Sequence, residues 1–151
     1  MDNSNVISTL NGLIETCKDG QEGFKDAAEG VERSEVKSVF YELSQQRAKF
    51  TGELQQAVRG LGGDPETSGS LAAALHRGWI DIKSVVTRRD EEAILNECER
   101  GEDSAVKMYE EAMKETLPND IAQVVRRQAT DVRAAHDQVR ALRNKFRNAN
   151  A

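Results

Sequence analysis

The chain has 151 residues, enough for a single domain (1–151) with a real hydrophobic core. Charged residues make up 31% and apolar ones 38%, while aromatics are only 5% and prolines number two; this argues against a β-rich protein and for an all-α one. A net charge of -5 weighs against nucleic acid as the main partner, because phosphate contacts need a basic face.

The first long helix is predicted from about Asn5 to Glu29. Its seam Ile7, Leu10, Ile14, Cys17, Gln21, Phe24, Ala28 and Val31 alternates spacings of three and four, the period of a bundle helix. Gly20 and Gly23 weaken that helix by up to ~1 kcal/mol each. Read as lying on its outer flank, they would let another chain approach closely, which makes a homo-oligomer an expectation. The second long helix spans about Ser34 to Leu61, with Ser34 as a plausible N-cap. Its stripe is Val36, Val39, Phe40, Leu43, Arg47, Phe50, Leu54, Val58 and Leu61, and Gly62-Gly63-Asp64-Pro65 stops it.

A polar loop, Glu66 to Gly69, leads into a shorter amphipathic helix from about Ser70 to Thr87. Leu71, Leu75, Trp79, Ile82 and Val86 share one face, so Trp79 is expected to be buried; His76 lies off the stripe and is read as a surface residue. The third long helix is predicted from Asp90, its N-cap, to Leu117, with the seam Ile94, Cys98, Glu102, Ala105, Tyr109, Ala112 and Met113. The fourth starts near Asn119, read as its cap, and runs to about Asn148. Its face holds Ile121, Val125, Gln128, Val132, Ala135, His136, Val139, Leu142 and Phe146. The basic tail from Arg140 to Arg147 reads as a helix end whose cations suit the negative end of the dipole.

The turns between helices one and two, and between three and four, are short, so each pair should form an antiparallel hairpin. The link of about 28 residues between the hairpins is too long for an idle loop. Helices of about 27 residues make a bundle roughly 40 Å long, a distance the short helix and its two loops can cover. The expected architecture is therefore two antiparallel hairpins joined by a long crossover, with the second and third long helices parallel.

Four polar residues occupy inward positions that normally hold Leu or Ala: Gln21, Arg47, Glu102 and His136, one on each long helix. Burying charge is costly unless it is paired or bound to a metal. In the expected topology Arg47 and Glu102 lie at one depth, with Gln21 and His136 within a turn of them. An Arg47–Glu102 pair completed by Gln21 and His136 can satisfy itself, since Arg brings five donors and a carboxylate about four acceptor sites.

The competing reading is a metal centre. Di-metal bundles take a Glu from each of two helices and Glu-x-x-His from the other two. No helix here carries Glu-x-x-His. The ligands available to iron or another divalent metal would be Glu42, Glu99, Glu102 and His136, and an inward Arg47 repels a cation among them. No cofactor is favoured. Other chemistries lack their residues: there is no Gly-rich phosphate loop, no Cys–His pair with a third member, and no serine beside a base. No catalytic residue is expected. Cys17 and Cys98 are too few and too far apart for a disulfide scaffold or zinc site, and both read as small buried hydrophobes. No apolar run reaches the ~20 residues of a membrane span, and MDNSNVIST lacks a signal pattern, so a cytoplasmic protein with no membrane partner is expected.

The segments LNGLIETCKDGQEGF, LGGDPETSGSL, LHRGWIDIK, ECERGED and AAHDQVRALR together resemble a ferritin-like family of small bacterial proteins classed as a domain of unknown function. The resemblance implies a ferritin-like four-helix bundle. Members often turn up among stress-associated genes, but the family has no established activity and so implies little about one. The expected reading of this chain is a stress-related or structural role without enzymatic activity. The alternative it leaves open is an oxidase-like or iron-handling protein of the di-iron type. A shared fold does not itself confer function.

Overall fold

A computed structural model describes residues 3–65 and 79–150 of the chain. Among them the regular structure is helical throughout: α1 (Ser4–Gly30), α2 (Ser34–Gly60), α3 (Ile82–Thr87), α4 (Glu91–Met113) and α5 (Asn119–Ala149). No helix among the described residues is long and apolar enough to cross a membrane. Ser70, Leu71, Leu75 and His76, which the sequence assigns to the short helix, lie outside the described residues. Trp79 sits in the turn that leads into α3.

The helix ends follow local chemistry, with some changes from expectation. Asp90 caps α4 by accepting from the Ala93 backbone N–H at 3.2 Å, and Glu91 and Glu92 follow in the first turn. Gly62, at φ 80°, closes α2: its N–H reaches the Arg59 carbonyl and that of Gly63 reaches Val58, which satisfies carbonyls the helix leaves open. Ser34 and Asn119 are the first helical residues rather than caps; Arg33 and Pro118 take the cap positions without side-chain capping bonds. α4 stops at Met113, short of Leu117, because Lys114 and Glu115 turn back to the carbonyls of Glu111 and Ala112 and the residue before Pro118 is biased away from helix.

Contacts between helices give their directions. Phe24 meets Phe40, the Gln21 carbonyl meets Ser44 and Gly20 meets Arg47, so α1 and α2 run antiparallel. Glu99 meets Arg143, Asp103 meets His136 and Tyr109 meets Gln128, so α4 and α5 do the same. The cations of α5 are engaged along its length. Arg127 pairs with Glu53, Arg133 with Glu110, Arg140 and Arg143 with Glu99, and Lys145 with Glu35. The basic tail thus ties α5 to its neighbours.

The buried apolar side chains fall into two clusters. One gathers Phe24, Ala27 and Ala28 of α1 with Val36, Phe40 and Leu43 of α2, Ile94, Leu95 and Cys98 of α4, and Val139 of α5. The other holds Leu10, Ile14 and Cys17 with Phe50, Leu54, Tyr109, Val125 and Val132. Every long helix passes through both. At the level where one cluster gives way to the other stand Gly20, Arg47, Gly101 and Glu102.

α3 and the turn before it are fastened to the first cluster. Ile82 and Val85 are buried there, and the Trp79 ring meets Phe24 edge-on at 5.0 Å. The indole lies over Gly23 of α1 and Gly101 of α4; a Cβ at either glycine would fall inside it. The Glu97 carboxylate, buried on α4, accepts from the Asp81 backbone N–H at 2.6 Å and faces Arg100 at 3.3 Å. Gly20 and Gly23 are therefore not on an outer flank. Both are buried, Gly20 beneath the Arg47 side chain and Gly23 beneath Trp79, so the close approach they permit comes from their own chain.

Candidate functional site

The slab between the clusters is built around Arg47 and Glu102. Both are essentially inaccessible to water, at 1% and 0% exposure. Arg47 Nη1 donates to Glu102 Oε1 at 2.6 Å and Nη2 to Oε2 at 2.7 Å, a two-pronged charge-assisted pair. The guanidinium also donates from Nε to Gln46 Oε1 at 3.3 Å and lies 5.5 Å from the centre of the Phe24 ring. Burial works against the Arg47 charge, but the Glu102 carboxylate outweighs it and holds the guanidinium above its already high ordinary value. Gly20 leaves the room this side chain needs: a Cβ there would lie 3.1 Å from Nη1.

Of the four inward polar residues named from the sequence, the structure brings Arg47 and Glu102 together and separates the other two from them. Gln21 is partly exposed, and its contribution is a backbone carbonyl that accepts from Ser44 Oγ at 2.8 Å. Gly20, one residue earlier, takes the inward position. His136 is buried but faces the α4–α5 seam, with Nε2 2.5 Å from Asp103 Oδ1 and Nδ1 3.1 Å from Asp137 Oδ1. Successive helical residues are turned about 100° from each other. Ala135 points into the core, so His136 is carried round to the flank.

A second buried polar chain escaped the sequence reading. Tyr109 Oη donates to Gln128 Oε1 at 2.7 Å and sits 3.2 Å from Cys17 Sγ. Gln128 Nε2 donates to Glu53 Oε1 at 3.0 Å, and Arg127 holds the other Glu53 oxygen at 2.7 Å. The line runs from the core to the surface. Burial opposes the Glu53 charge, yet the bonds from Arg127 and Gln128 prevail and keep its carboxyl below the usual range. Burial pushes the Tyr109 hydroxyl well above its ordinary value and the Cys17 thiol up to about 11, so both are neutral hydrogen-bonding groups near pH 7. The clue was Gln128 on the inward seam among Ile121, Val125 and Val132. Tyr109→Phe should cost about 1–3 kcal/mol, since it leaves a buried amide oxygen without its donor. Urea unfolding measures it, and a loss under about 0.5 kcal/mol would remove the bond from the account.

These residues do not fit a di-metal centre. Glu102 is held on both oxygens by Arg47, Glu42 is exposed on α2, and Glu99 stands with Asp103 and His136 on the α4–α5 seam. Among the described residues Glu99 and His136 come together with Asp103, but neither Glu42 nor Glu102 joins that group, and the Arg47 cation occupies the core beside Glu102.

The family described as a domain of unknown function (DUF2383) matches residues 5–115. The chain belongs to that family. The matched stretch contains α1, α2 and α4 with both partners of the central pair, whereas α5, which supplies Gln128 and His136, lies beyond it. No curated protein matches the chain.

Proposed function

We propose that this member of the family is a ferritin-like four-helix bundle in which a structural ion pair stands where related bundles carry metal, and that its role is non-enzymatic, either structural or stress-related. One observation carries the reading: the two-pronged Arg47–Glu102 pair at the level between the two apolar clusters. It uses both oxygens of the inward carboxylate and fills the space an ion would need. Such a pair need not add stability over an apolar core, but it selects one register of α2 against α4, since a shift of either helix strands a charge.

The bundle topology draws support from the same pair. Arg33 meets Glu91 at 2.6 Å and Arg47 meets Glu102 at 2.6 Å, which runs α2 and α4 in the same direction. Parallel neighbours of this length require the long crossover that separates ferritin-like bundles from simple up-and-down ones. The stress-related part rests on the resemblance of the sequence segments. Anaerobic addition of ferrous iron to the purified chain, then exposure to oxygen, is the test. The expected result is no oxygen-dependent oxidation of iron above the buffer rate. Two iron ions per chain together with rapid oxidation would overturn the reading.

A further inference from the structure

Away from the central slab, three side chains of metal-ligating type converge on the α4–α5 seam. Glu99 and Asp103 lie one turn apart on α4, and His136 reaches them from α5; one ligand atom from each lies within 4.8 Å of the others. The imidazole is 4% exposed and held at both ends, Nδ1 by Asp137 and Nε2 by Asp103. Asp103 itself opens to solvent, its side chain 56% exposed.

The arrangement at His136 resembles the outer support of a metal-binding histidine. When Nδ1–H donates to Asp137, the Nε2 lone pair faces Asp103 and Glu99, and a carboxylate behind the ring is the usual device that sets this tautomer for ligation. Without a metal, an Nε2–H donated to Asp103 accounts for the 2.5 Å contact; a divalent ion would take the place of that hydrogen, with open positions on the Asp103 side for water.

We propose that Glu99, Asp103 and His136 bind a single divalent ion of the zinc class. One imidazole and two carboxylates suit zinc, cobalt or manganese, whereas calcium and magnesium take oxygen alone. Bonds of about 2.0–2.2 Å hold neighbouring ligand atoms roughly 3–4 Å apart, so the Asp103 oxygen, now 2.5 Å from Nε2, must swing outward by about 1 Å, which its exposed side chain allows, while the ligand atoms, within 4.8 Å of one another, settle to that spacing. Arg140 and Arg143 also face Glu99. They compete with the ion, so the affinity is moderate and Arg143→Gln raises it. The site is distinct from the central slab, whose Arg47–Glu102 pair stays intact throughout.

The experiment is calorimetric titration of the chelator-stripped full chain with Zn²⁺, paired with Co²⁺ absorption, which reports imidazole and carboxylate ligation. Wild type should take one ion per chain. Asp103→Asn and His136→Ala should each remove the saturable phase, and Asp137→Asn should weaken it about 10–100-fold. Asp103→Asn changes an exposed side chain, and an unaltered circular dichroism spectrum separates lost binding from lost fold. Absence of saturable binding in wild type overturns the proposal, as does binding that both ligand variants retain. Neither result bears on the central ion pair, which the titration leaves in place.

Discussion

Glu102→Gln and Arg47→Leu should each destabilise the protein by about 3–5 kcal/mol, because each leaves its partner's charge buried and unpaired. The geometry makes the loss unavoidable: the pair is closed from water, and both bonds run between these two groups alone. Stabilities of natural domains are about 5–15 kcal/mol, so either variant loses a large part of the total and is best measured at low temperature. The double variant Arg47→Met, Glu102→Leu should be far milder, neutral or even stabilising, since no orphan charge remains. Urea unfolding of wild type, both single variants and the double variant in chelated buffer gives the coupling energy directly. Simply additive losses would dissolve the pairing argument. A strongly non-additive cycle, with the apolar double variant as stable as wild type but prone to adopt more than one packing, would make the pair a register device.

How much of this was legible beforehand depends on what kind of signal each residue carries. Apolar periodicity placed all four long helices, and the depth argument put Arg47 beside Glu102 because both sit mid-stripe on helices of similar length. That argument fails for residues at the edge of a stripe. His136 follows Ala135, and a turn of about 100° decides which of the two faces the core. Gln21 follows Gly20 in the same way, and the smaller residue won the inward place because the Arg47 side chain needed the room. Periodicity ranks side chains by hydrophobicity and overlooks a glycine whose value is the space it leaves. Tyr109 and Gln128 were on the inward seams, but a tyrosine reads as apolar there, and only the antiparallel pairing of α4 with α5 brings its hydroxyl to the amide. Glu97 was invisible for a different reason: its partner is a backbone N–H at Asp81, supplied by the path of the connection into α3.

Gly101→Ala should destabilise the protein by about 2–3 kcal/mol, although in an exposed helix interior the same change is worth up to about 1 kcal/mol of added stability. The sign reverses because the methyl group would occupy the volume of the Trp79 indole, and a backbone in the middle of α4 cannot move away. The ring must leave its seat on Phe24. Gly23→Ala acts on the same ring from α1 and should produce the same loss. Trp79→Ala should cost about 3 kcal/mol, at the lower end of the range for large aromatics because the indole is only partly covered. The decisive comparison is made without the ring. In a Trp79→Ala background both glycine substitutions should become neutral or stabilising, since the clash is gone and the helix preference for alanine remains. Trp79 is the chain's single tryptophan, so its fluorescence reports the seat directly: emission should shift to the red in Gly23→Ala and Gly101→Ala while the helical signal persists. If the glycine substitutions stabilise the protein with Trp79 present, the indole is not held between α1 and α4, and among the described residues the attachment of α3 must rest on Ile82, Val85, Val86 and the Glu97–Asp81 bond.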